Sequence, residues 1–269
     1  MKKIFIVFIS AIAILFSIKG AHAQTTGYAT VYQTYIDKQG LYQTAHSAYL
    51  TARSTYLASM SLDSKDKAIQ ATLKMLQARD TLTSAYLNAI RSKIDTIQGM
   101  TSGDKSSTQS QIDTEIAWYN AHNAKLPSAG TLDDLVTDSD EAKTRFSSVT
   151  KVVIYQSIIT ISRGNNLFMR GEISSDMSSL NTKIAEIKAN QDKNTSTIER
   201  TMVDIKNKLD RSQAKDDDAQ NTMNSINVST QNIDNDFATA QTLVSDSLSY
   251  LKEANQSLLQ IITQIKTAD

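Results

Sequence analysis

From Glu172 to Asp269 the chain contains neither glycine nor proline, and the only proline anywhere is Pro127. Strand-rich domains need many tight turns, and those turns draw on Gly and Pro to reach their special backbone angles. A chain of 269 residues with one Pro and eight Gly is therefore expected to be all-α. Its 40% apolar content is enough to fill a sizeable core. The expected architecture is an elongated helical bundle with antiparallel coiled-coil-like hairpins.

Tyrosines at positions 28, 35, 42, 49 and 56 fall at steps of seven, with Ala45 and Ala52 three residues after Tyr42 and Tyr49. A strict seven-residue period predicts a seam that supercoils against a partner helix. The matching face is Ile69, Leu73, Leu76, Asp80, Thr83, Leu87, Ile90, Ile94 and Ile97. A short turn at Ser61-Leu62-Asp63 makes the two helices an antiparallel hairpin over 24–98. Within that seam Asp80 is expected to accept a hydrogen bond from a tyrosine hydroxyl, because a buried phenol needs a partner.

The polar stretch 99–110 reads as a flexible linker. A C-terminal helical region over 111–269 follows, expected to pack with the hairpin. Its first helix, near 111–125, is stopped by Leu126-Pro127-Ser128-Ala129-Gly130. Thr131 is the N-cap of the next, with Asp133 and Asp134 complementing the helix dipole. That helix is expected to reach Ser162 and to be interrupted at Arg163-Gly164-Asn165-Asn166. Further helices are predicted over 172–190, 197–214 and 217–266, with breaks near Asn194 and Asp216. The last carries a seam of Val244, Leu248, Leu251, Asn255, Leu258, Ile262 and Ile265, in which Asn255 sets register.

Residues 1–23 read as a secretory signal peptide: Lys2 and Lys3, an apolar run from Ile4 to Ile18, and Ala21-His22-Ala23 before the cut. The run is short of the ~20 residues a spanning helix needs. Cleavage near Ala23 removes three of the 28 basic residues and none of the 28 acidic ones, leaving a mildly acidic chain. Global charge then suggests neither nucleic acid nor an anionic membrane surface as partner. With no Cys there is no disulfide, no thiol nucleophile and no acylated lipoprotein cysteine. The expected location is secreted, periplasmic or on the cell surface, with no stable membrane span after cleavage.

Two constellations are candidate interaction surfaces. One is the stripe of Tyr28, Tyr32, Tyr35, Tyr42, Tyr49 and Tyr56, read first as a packed seam and alternatively as an aromatic platform for a glycan, a peptide or another helix. The other is Trp118, Tyr119 and His122 on the short third helix, either a contact point or the cap of a bundle end. The β-branched run from Val152 to Ile161 is read as a buried central helix, with membrane insertion as the alternative.

No catalytic, cofactor or metal site is expected. Only His46 and His122 remain after export, without paired-histidine zinc spacing, and there is no Gly-rich phosphate loop. The acidic clusters at 133–134, 138–141 and 216–218 lack the alternating ligands and central Gly of a calcium loop. The expected function is an exported, non-enzymatic structural or protein-interaction component of a bacterial envelope or surface, joined to a partner or to itself through helical seams. A membrane-active, pore-forming-like protein is the alternative, and a carboxylate-based hydrolase comes third.

Overall fold

The computed structural model describes residues 25–189, 195–226 and 232–267. The signal-peptide expectation and the break near Asn194 lie outside them. The described residues form an all-α protein without strands. Its helices are α1 (Thr25–Ser59), α2 (Leu62–Asp95), α3 (Ser102–Lys125), α4 (Leu132–Arg145), α5 (Lys151–Ala189), α6 (Ser196–Asn224) and α7 (Ile233–Thr267). A 3-10 turn (Leu126–Ser128) follows α3, and a π turn (Phe146–Thr150) follows α4. None of these helices is long and apolar enough to cross a membrane.

The chain divides into two compact units, one of described residues up to Thr96 plus Ser102–Ser157, the other of Ile97–Thr101 plus described residues from Ile158 onward. The division differs from the expected linker at 99–110, most of which is the start of α3. Polar side chains hold those turns against the end of α2. Gln109 Nε2 donates to Asp95 Oδ1 at 2.7 Å, and Lys105 Nζ donates to the Asp95 carbonyl at 3.2 Å. A cation on the last carbonyls of a helix meets both their open acceptors and the negative dipole end.

In the first unit α1 and α2 form the expected antiparallel hairpin. Tyr35 lies against Tyr86 with ring centroids 5.2 Å apart, and Lys93 Nζ sits 5.1 Å over the Tyr28 ring. At the tip Met60 takes a left-handed φ of 47° to end α1, and Ser61 caps α2 by accepting from the Ser64 amide. The α2 stripe from Leu76 to Ile94 is buried as expected. Asp80, however, accepts from His122 and Arg79 rather than from a tyrosine. It is Tyr86, outside that stripe, that meets Tyr35, so α2 is buried on two sides.

The 3-10 turn at Leu126-Pro127-Ser128 ends α3, and Thr131 caps α4 in a reciprocal capping box with Asp134. The expected continuous helix to Ser162 is instead α4, a π turn and α5. Buried Val153, Ile154, Ile158, Ile159 and Ile161 make the β-branched run part of the core.

In the second unit α6 and α7 carry matching heptads. Met202, Ile205, Leu209, Ser212, Asp216, Ala219 and Met223 are buried on α6, and Phe237, Ala240, Val244, Ser247, Leu251, Ala254, Leu258 and Ile261 on α7. Ser212 meets Ser247 at 2.9 Å, and Lys208 reaches Ser257 at 3.4 Å, so the pair runs antiparallel. The α7 seam is displaced from expectation: Ser247 and Ala254 are fully buried where Leu248 and Asn255 are only partly so. Small residues at those positions allow close helix approach, and Ser247, not Asn255, is the polar seam residue.

The expected breaks at 163–166 and near Asp216 are both helical. Asn166 Nδ2 donates to Asp216 Oδ1 at 2.9 Å, to Ser247 Oγ at 3.1 Å and to the Val244 carbonyl at 3.2 Å. Arg170 Nη2 donates to Asp216 Oδ2 at 2.5 Å and to Ser212 Oγ at 3.0 Å. Residues that look like a loop in sequence are therefore a polar layer across α5, α6 and α7.

Gly164 serves a crossing inside the same unit. A Cβ added to Gly99 falls 1.9 Å from the Gly164 carbonyl oxygen, and one added to Gly164 falls 2.7 Å from Ile97 and Met100 side-chain carbons. Gly40, with nothing near its missing Cβ, is a plain cost to α1. Gly99→Ala is expected to destabilise the protein by about 3 kcal/mol, whereas Gly40→Ala stabilises it by roughly 0.4–1 kcal/mol. Urea unfolding of the two variants checks the opposite signs.

Candidate functional site

The polar centre of the first unit is assembled by α2, α3, α4 and the π turn. His122 on α3 is buried, with Nδ1 2.6 Å from Asp80 Oδ2 and Nε2 3.1 Å from the Asp138 carbonyl. Both neighbours are acceptors, so both bonds form together only when each ring nitrogen carries a proton. Arg79 Nε donates to Asp80 Oδ1 at 3.3 Å, while its Nη1 donates to Ser139 Oγ at 3.2 Å on α4. Burial pushes the Asp80 carboxyl above the usual carboxylate range, with Arg79 and His122 pulling the other way.

One helical turn from His122, Trp118 stacks on the imidazole at 4.9 Å with an interplanar angle of 12°. The Arg145 guanidinium lies 5.5 Å over the other partner, the indole ring. Arg145 also makes a two-point ion pair with buried Glu115, Nε donating to Oε2 at 3.1 Å and Nη2 to Oε1. The π turn places Thr150 so that its hydroxyl donates to Glu115 Oε2 at 2.7 Å. With that proton used, Tyr119 donates to Thr150 Oγ1 at 3.2 Å. Burial raises the Tyr119 phenol to about 12, partly offset by the Thr150 bond.

Trp118, Tyr119 and His122 are therefore brought together, but as parts of an interior network rather than as an open patch. His122 and Tyr119 are buried and Trp118 is half-buried. Glu115, Arg145 and Thr150 complete the centre without a signal of their own in the sequence, and Asp138 joins it from the acidic run at 138–141. The available signal was Asp80, an acid on an otherwise apolar stripe, which calls for a buried cationic partner.

The tyrosine stripe lies along α1. Tyr35 is buried; Tyr28, Tyr32, Tyr42, Tyr49 and Tyr56 are half-buried. Tyr28, Tyr32 and Tyr35 form a run of tilted ring contacts at 5.9 and 5.8 Å, and His46 lies between Tyr42 and Tyr49 at 5.7 and 6.1 Å. Tyr42, Ala45 and Tyr49 pack on a core of Met75, Leu76, Leu126 and Leu135. The rings thus line the inner side of α1, with part of each except Tyr35 left accessible.

No known family model, curated protein or solved structure matches the chain.

Two outcomes follow from these environments. Removing one partner of a buried pair strands the other, so Asp80→Ala and His122→Ala are each expected to cost about 3–5 kcal/mol, and the double variant less than their sum. A double-mutant cycle by chemical denaturation measures this, and strict additivity would contradict the pairing. Burial, aided by Tyr32, also raises the Tyr28 and Tyr35 phenols to about 12. Unfolded tyrosine ionises near 10, so the folded chain holds these protons longer, and their contribution to stability is lost as pH rises from 10 through 12. Absorbance titration of tyrosinate alongside helicity should show the buried phenols ionising only as helix is lost.

Proposed function

We propose that this chain is an exported, non-enzymatic helical component of a bacterial envelope or surface that works through protein contacts made by α1 and the hairpin tip. The observation that carries the reading is the asymmetry of α1. Its tyrosines turn inward, while Leu41, Leu50 and Leu57 face solvent together with Met60 and Leu62 at the tip. Exposed apolar side chains on one element are a feature of recognition surfaces. Next to them, a shallow groove of about 580 Å³ between α1 and α2 is lined by Leu41, Ala45, Ala48 and Ala71, with Asp63 and Lys67 among its polar residues.

The remaining exposed surface of α1 is largely hydroxyls and amides, which suits a helix working outside the cytoplasm without strong charge. The chemically richest cluster, around His122, is enclosed by its own partners and reads as an organising core for this scaffold. Replacing Leu41, Leu50 and Leu57 together with Gln should leave helicity and melting largely unchanged, as expected for surface positions. Capture from the native cell surface with the wild-type chain is expected to yield a specific partner that this variant loses. Equal capture by both chains would sink the proposal.

A further inference from the structure

His122, Asp138 and Glu141 bring three ligand-type atoms, one imidazole nitrogen and two carboxylate oxygens, within 4.8 Å of one another. Asp138 and Glu141 stand one turn apart on α4, and His122 reaches them from α3. A cation already bridges the two acids: Lys125 Nζ lies 3.0 Å from Asp138 Oδ1 and 3.0 Å from Glu141 Oε2. We infer that these three side chains form a binding site for a divalent transition-metal ion of the zinc class, and that the Lys125 ammonium holds the position when no metal is bound.

Three features support the assignment beyond the presence of acids. The first is Asp80, fully buried behind His122 and 2.6 Å from Nδ1. A carboxylate on the far nitrogen fixes the tautomer and ring plane of a metal-binding histidine, presenting Nε2 to the ion. The second is the donor set, since imidazole with carboxylate oxygens suits zinc and its neighbours more than calcium or magnesium. The third is the division of exposure. His122 and Asp138 are buried, whereas Glu141 and Lys125 have side chains about half exposed, at 47% and 55%.

Donors about 2.1 Å from a shared tetrahedral ion lie about 3.4 Å apart. The cluster, which spans up to 4.8 Å, must therefore tighten by about 1.4 Å at its widest pair, a movement the exposed Glu141 side chain can contribute to by changing rotamer. Binding is balanced in charge and protons. The ion replaces the Nε2 proton, which leaves to solvent, so Nε2 gives up its hydrogen bond to the Asp138 carbonyl, and the Lys125 ammonium swings out still charged.

The test uses the purified full chain with Zn²⁺, and with Co²⁺ as a spectroscopic probe. Wild type is expected to bind one ion saturably, to gain thermal stability with Zn²⁺ and to show Co²⁺ absorption in the visible. Glu141→Gln, at an exposed position that leaves the core intact, should weaken binding about tenfold or more. Lys125→Gln should strengthen it by removing the competing ammonium. Absence of saturable one-to-one binding by wild type overturns the inference. So does unchanged affinity in Glu141→Gln, or weaker binding in Lys125→Gln.

Discussion

The 2.6 Å hydrogen bond between His122 and Asp80 is the contact on which the first unit depends. It takes an acid from the middle of α2 and a histidine from α3 into an interior where neither is tolerable alone. The second imidazole nitrogen engages the α4 backbone, and Arg79 adds a further link from α2 to α4. Sliding any of these helices by a turn would leave several buried polar groups without partners. Apolar packing of Leu76, Leu126 and Leu135 supplies bulk stabilisation but little positional selectivity. The polar centre selects one register among many apolar alternatives.

The second unit solves the same problem with different chemistry. Asp216 is buried among Asn166, Arg170, Ser212 and Ser247, while the layer beyond it is filled by Ile173, Ile205, Leu209, Leu251 and Leu258. The two helices with regular heptads, α6 and α7, have many nearly equivalent alignments. One polar layer placed off-centre removes that degeneracy, because only one alignment satisfies all of its donors and acceptors. Both units thus combine long regular seams with one irregular, hydrogen-bonded layer.

Elements whose signals are local were legible in the sequence. The hairpin, the stop at Leu126-Pro127-Ser128, the Thr131 cap and the helical character of the described residues beyond Gly171 all rest on residues within a few positions of one another. What the sequence concealed depends on distant partners. Residues 102–110 and 163–166 have loop-like composition, yet their side chains find acceptors on other helices, Asn166 as far along the chain as Ser247. By sequence Leu248 outranks Ser247 as a seam residue because it is the more apolar, although close helix packing favours the smaller side chain. At the candidate site, Trp118, Tyr119 and His122 stand out by rarity. Glu115 and Arg145 do not, and Asp138 and Glu141 show only as part of an acidic run, since charged residues on helices are ordinarily solvated.

The hydroxyls of α1 close on their own helix. Thr34, Thr44, Ser47, Thr51, Thr55 and Ser59 each donate to the carbonyl four residues earlier. They line the outside of the helix with neutral polar groups and share the carbonyl acceptors of the main-chain ladder. Formal charge on α1 is confined to Asp37, Lys38 and Arg53 over 35 residues. Electrostatic surfaces weaken as counterions accumulate, but a surface wetted by neutral hydroxyls has almost nothing to screen. α1 therefore keeps the same face toward solvent in dilute water and in brine.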